Sequence, residues 1–137
     1  MSSPPAALKQ RAGRFTIQSL RQLVWRMLVE QHLRWATVVY EGSAGHSSIV
    51  GIHLPPGADG ASEEEALDRP CEEGGQRLRE ILSALALMLL DRLIPGWTAG
   101  NGGLGSLRFK RAAADLRCQL WYAPWDASPV HLDLAIE

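Results

Sequence analysis

Leu107-Arg108-Phe109-Lys110-Arg111, Leu116-Arg117-Cys118-Gln119-Leu120-Trp121-Tyr122 and Val130-His131-Leu132-Asp133-Leu134-Ala135-Ile136 decide how this chain is read. In each, apolar side chains recur at every second position, the repeat of a strand with one face buried and the other wet. Three strands therefore close the sequence. Upstream, Gly96 to Gly105 is a glycine-rich link, and before it Leu78, Ile81, Leu82, Leu85, Met88, Leu89 and Leu93 recur at helical spacing. That helix is expected to begin near Pro70 or Glu72 and to stop at Pro95-Gly96. From Ile81 to Leu90 it is apolar almost all round, so it needs cover on more than one side.

Toward the N-terminus, Thr16 can cap a helix running to about Arg34, with Ile17, Leu20, Val24, Met27 and Leu28 on one face. Ala36 to Glu41 and Ser48 to Leu54 flank the turn material Gly42 to Gly45 and read as a β-hairpin that Pro55-Pro56 ends. The order α-β-β-α-β-β-β predicts an α+β fold with two layers: an antiparallel sheet of about five strands with two helices on one face. Residues 1–14 are expected to be a flexible N-terminus, and residues 15–137 a single domain with an exposed acidic loop at 57–70.

The 137 residues, 46% hydrophobic and 21% charged, are enough for one packed core without staples. The two cysteines, Cys71 and Cys118, make no disulfide framework, and no secretory leader is visible. The longest apolar run, Ile81 to Leu90, falls short of the roughly 18 residues that span a bilayer. A cytoplasmic protein without a membrane partner is expected. The net charge is −1, but residues 1–40 sum to +5 and residues 41–95 to −6, so the chain is basic first and acidic second.

Each chemical motif has a plainer alternative. Gly100-Asn101-Gly102-Gly103-Leu104-Gly105 fits the dinucleotide pattern G-x-G-x-x-G, yet a helix leads in and a strand leaves, the reverse of the order that aims a helix N-terminus at a pyrophosphate. A turn with a close strand approach is the expected role, and no cofactor is expected. His131 and Asp133 share a strand face, but two ligands do not make a zinc site, so no metal is expected. Cys71 near a helix start lacks a histidine partner and has acids beside it; Cys118 alternates into an apolar face. No nucleophile elbow occurs, and no catalytic residues are assigned.

Two stretches, Val38-Val39-Tyr40-Glu41-Gly42-Ser43-Ala44-Gly45-His46 and Gly96-Trp97-Thr98-Ala99-Gly100-Asn101-Gly102-Gly103-Leu104-Gly105, resemble a family of small bacterial and phage proteins known as a domain of unknown function. In that family an aromatic-acid-glycine turn and a Gly-Trp…Asn-x-Gly…Gly segment join strands and helix. The likeness spans about residues 36 to 122, and His46 stands where the family has a carboxylate. The resemblance implies an α+β domain on phage, mobile-element or bacterial defence systems and carries no assigned reaction.

Two functions of different kinds are expected from the first helix. The leading one is a non-enzymatic protein-interaction domain, an accessory subunit or inhibitor. Stepping 100° per residue, Trp25, Val29 and Leu33 form a row opposite the core stripe, with Arg26 at its rim, the residue types that anchor another protein or a second copy in an oligomer. The alternative is a nucleic-acid-binding accessory protein using Arg14, Arg21, Arg26 and Arg34.

Overall fold

The computed structural model describes residues 15–56, 62–71, 75–113 and 115–136. Helix α1 (Ile17–Glu30) is capped as its sequence predicts: the Thr16 side chain accepts from the Ser19 amide while the Ser19 side chain accepts from the Thr16 amide. Strands β1 (Trp35–Ser43) and β2 (His46–His53) form the hairpin. Ala44 and Gly45, both at positive φ, make its two-residue connection, as the twist of antiparallel strands favours. A short helix α2 (Glu63–Leu67) and the long helix α3 (Leu78–Leu93) follow. Strands β3 (Gly103–Arg111), β4 (Leu116–Pro124) and β5 (Val130–Ala135) then form a meander.

The sheet is antiparallel throughout, in the order β2-β1-β3-β4-β5, which makes the domain the two-layer α+β fold its patterning predicts. Ala36, Val38, Tyr40, Leu107, Phe109, Leu116, Cys118, Leu120 and Tyr122 alternate onto one face of the sheet. There they form a single core with Leu20, Val24, Met27 and Leu28 of α1 and Leu78, Ile81, Leu82, Leu85, Ala86, Leu89 and Leu90 of α3. Beneath the nearly all-apolar α3 the two helices pack on each other as well as on the sheet, the multiple cover that such a helix needs. The β1–β2 register slips by a bulge between Val39 and Tyr40, and Val50, 59% exposed, stands on that edge strand.

Three local expectations are corrected. Helix α1 ends at Glu30, short of Arg34, because His32 turns left-handed at φ 56. The Leu33 amide then donates to the Leu28 carbonyl and the His32 amide to Val29, the paired bonds of a Schellman closure that drives Leu33 into the core. The stretch read as an exposed acidic loop contains α2, with Ala66 and Leu67 buried. Its signal was present as Ser62-Glu63-Glu64-Glu65: Ser62 and Glu65 form a capping box, and Arg79 of α3 bridges Glu64 and Asp68, both at 2.9 Å. Helix α3 begins at Leu78 and not at Pro70 or Glu72, because Pro70 pairs with Arg77 in a short bridge and Leu78 donates back to Arg69. The expected flexible segment 1–14 lies outside the described residues.

Candidate functional site: the uncovered face of the sheet

Alternation places the other half of each strand on the face opposite the helices. Register aligns these side chains in rows that cross the sheet. One row holds Trp35, Lys110 and Arg117. The next holds His53, Thr37, Arg108, Gln119 and Asp133, and a third holds Gly51, Val39, Ser106, Trp121 and His131. Beyond them lie Ser48, Glu41, Leu104 and Ala123. Among the described residues no helix covers this face: Arg108, Lys110, Arg117, His131 and Asp133 are exposed, and Trp35, Val39, Leu104 and Trp121 are half-buried.

Several of these groups are held in place. The Arg108 guanidinium lies 4.3 Å from the Trp35 ring centroid, and its Nε donates to Thr37 Oγ1 at 3.0 Å. Stacking and one hydrogen bond thus fix the arm, while Arg108 itself remains exposed. Asp133 accepts from Arg117 at 3.2 Å and from Gln119 at 3.4 Å. These bonds, with the fields of Arg117 and Lys110, hold its carboxyl below the usual carboxylate range. Trp121 and His131 are neighbours, ring centroids 6.4 Å apart. A shallow hollow of about 450 Å³ lies between the second and third rows, bounded by Thr37, Ser106, Arg108, Gln119, Trp121 and His131. At the β4–β5 turn Trp125 is 60% exposed.

The residues singled out on the first helix do not come together as expected. Leu33 is buried at 1% and leaves the row. Trp25 and Val29 are half-buried and border an open hollow together with the β3–β4 connection at Arg111 to Ala113. There Trp25 Nε1 reaches the Ala112 carbonyl at 3.4 Å. Arg26 lies beside Cys71, Nη2 to Sγ 3.7 Å. Of the arginines proposed for nucleic acid, Arg21 is bound to Asp115 at 2.7 Å and to Gln18, Arg34 sits beside Trp35 at the start of β1, and Arg14 lies outside the described residues. A groove of about 490 Å³ runs along this side of α1, lined by Phe15, Arg21, Leu23, Trp25, Arg26 and Asp115.

The motif-like residues resolve as architecture. A Cβ on Gly102 would lie 1.7 Å from the Gly42 carbonyl oxygen, and one on Gly103 2.4 Å from that of Ala123. Gly102, Gly103 and Gly105 therefore admit neighbouring backbone, whereas Gly100 is in open space at φ 63. The hairpin tip is tied to the same link, Ala44 N–H to Gly100 and Gly45 N–H to Thr98. Cys71 is buried ahead of α3, its amide bonded to the Gln76 carbonyl. His131 and Asp133 share a face but gather no third ligand: no group of three or more metal-binding side chains occurs among the described residues.

Cys118 carries a prediction. Burial, and secondarily the nearby Asp133 charge, pushes its thiol up to about 12, and burial likewise raises the Tyr40 hydroxyl. Folding favours the protonated form of both, so their contribution is complete below the unfolded thiol value near 9 and is lost as pH rises toward 12. Melting temperature measured by circular dichroism should fall steadily from pH 9 upward, and Cys118→Ala should flatten that fall. A melting temperature that does not change between pH 9 and 11 would contradict the burial argument.

The fold and the site together define a two-layer α+β domain with one sheet face that no described helix covers, furnished with aromatic and cationic side chains. Comparison with protein-family models finds no match, nor does comparison with curated proteins or with solved structures. Among the described residues no helix is long and apolar enough to cross a membrane.

Proposed function

We propose that this protein is a non-enzymatic binding module that engages another macromolecule through the uncovered face of its sheet. The observation that carries this reading is the make-up of the face. Two tryptophans, three cations and a glutamine occupy adjoining register positions on β1, β3 and β4. A merely solvated strand face is well served by Thr, Ser, Lys and Glu, whereas tryptophan and arginine are the residue types that dominate binding energetics. An accessory or inhibitory role in a bacterial defence, phage or mobile-element system belongs to the same proposal, and it rests on the likeness of the two stretches around Tyr40 and Trp97 to the small bacterial and phage family.

A second reading keeps α1 as the docking surface, with Trp25, Arg26 and Val29 and without Leu33, favoured by the groove between Phe15 and Asp115. Capture from a host extract separates the two. Wild type, a face variant (Lys110→Glu with Trp121→Ser) and an α1 variant (Val29→Asp), each checked for a native circular dichroism spectrum, are used as baits with and without nuclease. The face variant should lose a ligand that wild type and Val29→Asp retain. Loss from Val29→Asp with retention by the face variant transfers the function to α1, and retention by both variants overturns both readings.

A further inference from the structure

We propose that the occupant of the uncovered face is single-stranded nucleic acid, its backbone following Arg108 and Lys110 and its bases stacking on Trp121 and at the Trp35 end. The inference rests on the reading of this face as the binding surface, and it names the ligand.

Charge is the first argument. Lys110 stands in register between Trp35 on β1 and Arg117 on β4, with Arg108 two residues away on the same side of β3. Strands lie about 4.8 Å apart and alternate residues on one strand about 6.7 Å, so three cations occupy one patch at this end of the sheet. Arg34 and Arg111 adjoin it, the Arg111 amide bonded to the Arg34 carbonyl. Two acids share the face. Asp133 pairs with Arg117 and Gln119 and so offsets one of the three cations, leaving Arg108 and Lys110, and Glu41 is displaced along β1 to the opposite end, across from Ser48 and Leu104. The chain's net charge of −1 does not cancel such a patch, because Glu64, Glu65, Asp68 and Glu80 belong to the helical layer and Glu63 lies against His53 at the β2 edge, with β1 between it and Arg108, and charges more than about 8 Å apart are largely screened at physiological salt.

Shape and chemistry narrow the ligand further. A polyanion satisfies the cations, but an acidic peptide has no use for the aromatic rings, whereas splayed bases do. A five-stranded sheet face does not enter a duplex groove, and paired bases do not expose their planes to it, which favours the single strand. Trp121 presents its ring beside the hollow that Gln119, Ser106 and His131 border, so polar groups lie where the edge of a stacked base would fall.

The test is fluorescence anisotropy with end-labelled 20-nucleotide mixed-sequence single-stranded RNA and DNA, the matching duplex, and a labelled poly-glutamate peptide. Single strands should bind, with affinity falling about 7-fold between 50 and 200 mM salt, as about two phosphate contacts at a slope near −0.7 each require. Lys110→Gln should lower the slope by about 0.7, and Trp121→Leu should weaken binding on the order of tenfold while leaving the slope unchanged. Both variants are to be checked for native spectra, and Trp125→Ser serves as a folded control outside the patch. No single-strand binding at 50 mM salt, or duplex or poly-glutamate bound as tightly, overturns the proposal. If that happens while the face variant still loses its captured ligand from extract, only the nucleic-acid assignment fails; if the face variant keeps its ligand, the face itself is not the site.

Discussion

Trp97→Ala is expected to lower the unfolding free energy by about 3 to 5 kcal/mol, the range for removing a large aromatic from a packed interior. Trp97 is 3% exposed and packs edge-on against Tyr40 and Tyr122, at 5.3 and 6.2 Å between centroids. Its Nε1 donates to Asp91 at 3.0 Å, which fixes the ring to the last turns of α3, and its carbonyl accepts from the Tyr122 hydroxyl at 2.7 Å. The ring also fills the space that a Cβ on Gly42 would need, 2.6 Å from Cζ3. Alanine therefore removes a helix anchor, a hairpin contact and the common edge of an aromatic trio at once. Urea unfolding should show the midpoint falling at an unchanged slope. Trp97→Phe, which keeps most of the packing and loses the Asp91 bond, should cost much less. A loss below about 1 kcal/mol for Trp97→Ala would mean that the ring is peripheral.

Gly105→Ala is expected to be comparably damaging, although it adds one methyl group. The new Cβ would lie 1.9 Å from the Trp121 carbonyl oxygen and 2.7 Å from the Tyr40 hydroxyl. Those two atoms are themselves hydrogen-bonded at 2.8 Å, so glycine leaves the gap through which Tyr40 reaches across β3 to β4. Overpacking a core costs about 1 to 3 kcal/mol, and a buried hydroxyl left without its acceptor about 1 to 3 more. A double-mutant cycle distinguishes the two parts. In a Tyr40→Phe background Gly105→Ala should cost less than in wild type, while the clash with the backbone carbonyl keeps some of the loss. Strict additivity would show that the methyl group and the hydroxyl do not compete for the same space.

Period-two alternation made β3, β4 and β5 legible from sequence because each has one buried and one wet face, and Thr16 announced the start of α1. The end of α1 was hidden: a left-handed His32 carries no compositional mark, yet it decides whether Leu33 continues a helical row or turns into the core. The uncovered face was hidden for another reason. Arg108, Lys110, Arg117, Gln119 and Trp121 read singly as the wet side of their strands, and only the cross-strand register sets Trp35 beside Lys110 and Thr37 beside Arg108. Trp25 and Val29 could be placed on a helical face by angle alone, but the β3–β4 connection that borders them, and to which Trp25 is hydrogen-bonded, is not written in α1.

The two stretches around Tyr40 and Trp97 meet at the junction of two halves. The β1–β2 hairpin and the β3–β4–β5 meander each form from neighbours in sequence, whereas the pairing of β1 with β3, from Trp35↔Lys110 to Gly42↔Gly103, joins segments separated by all of α2 and α3. That pairing closes the longest loop in the sheet and carries the largest chain-entropy cost of any strand pair. Trp97, Gly42 and Gly102 sit at one end of it as a clasp. A lesion at the clasp consequently loosens a seam between two halves of the chain, so its effects should reach the cations of the uncovered face, which lie along the same seam at its other end.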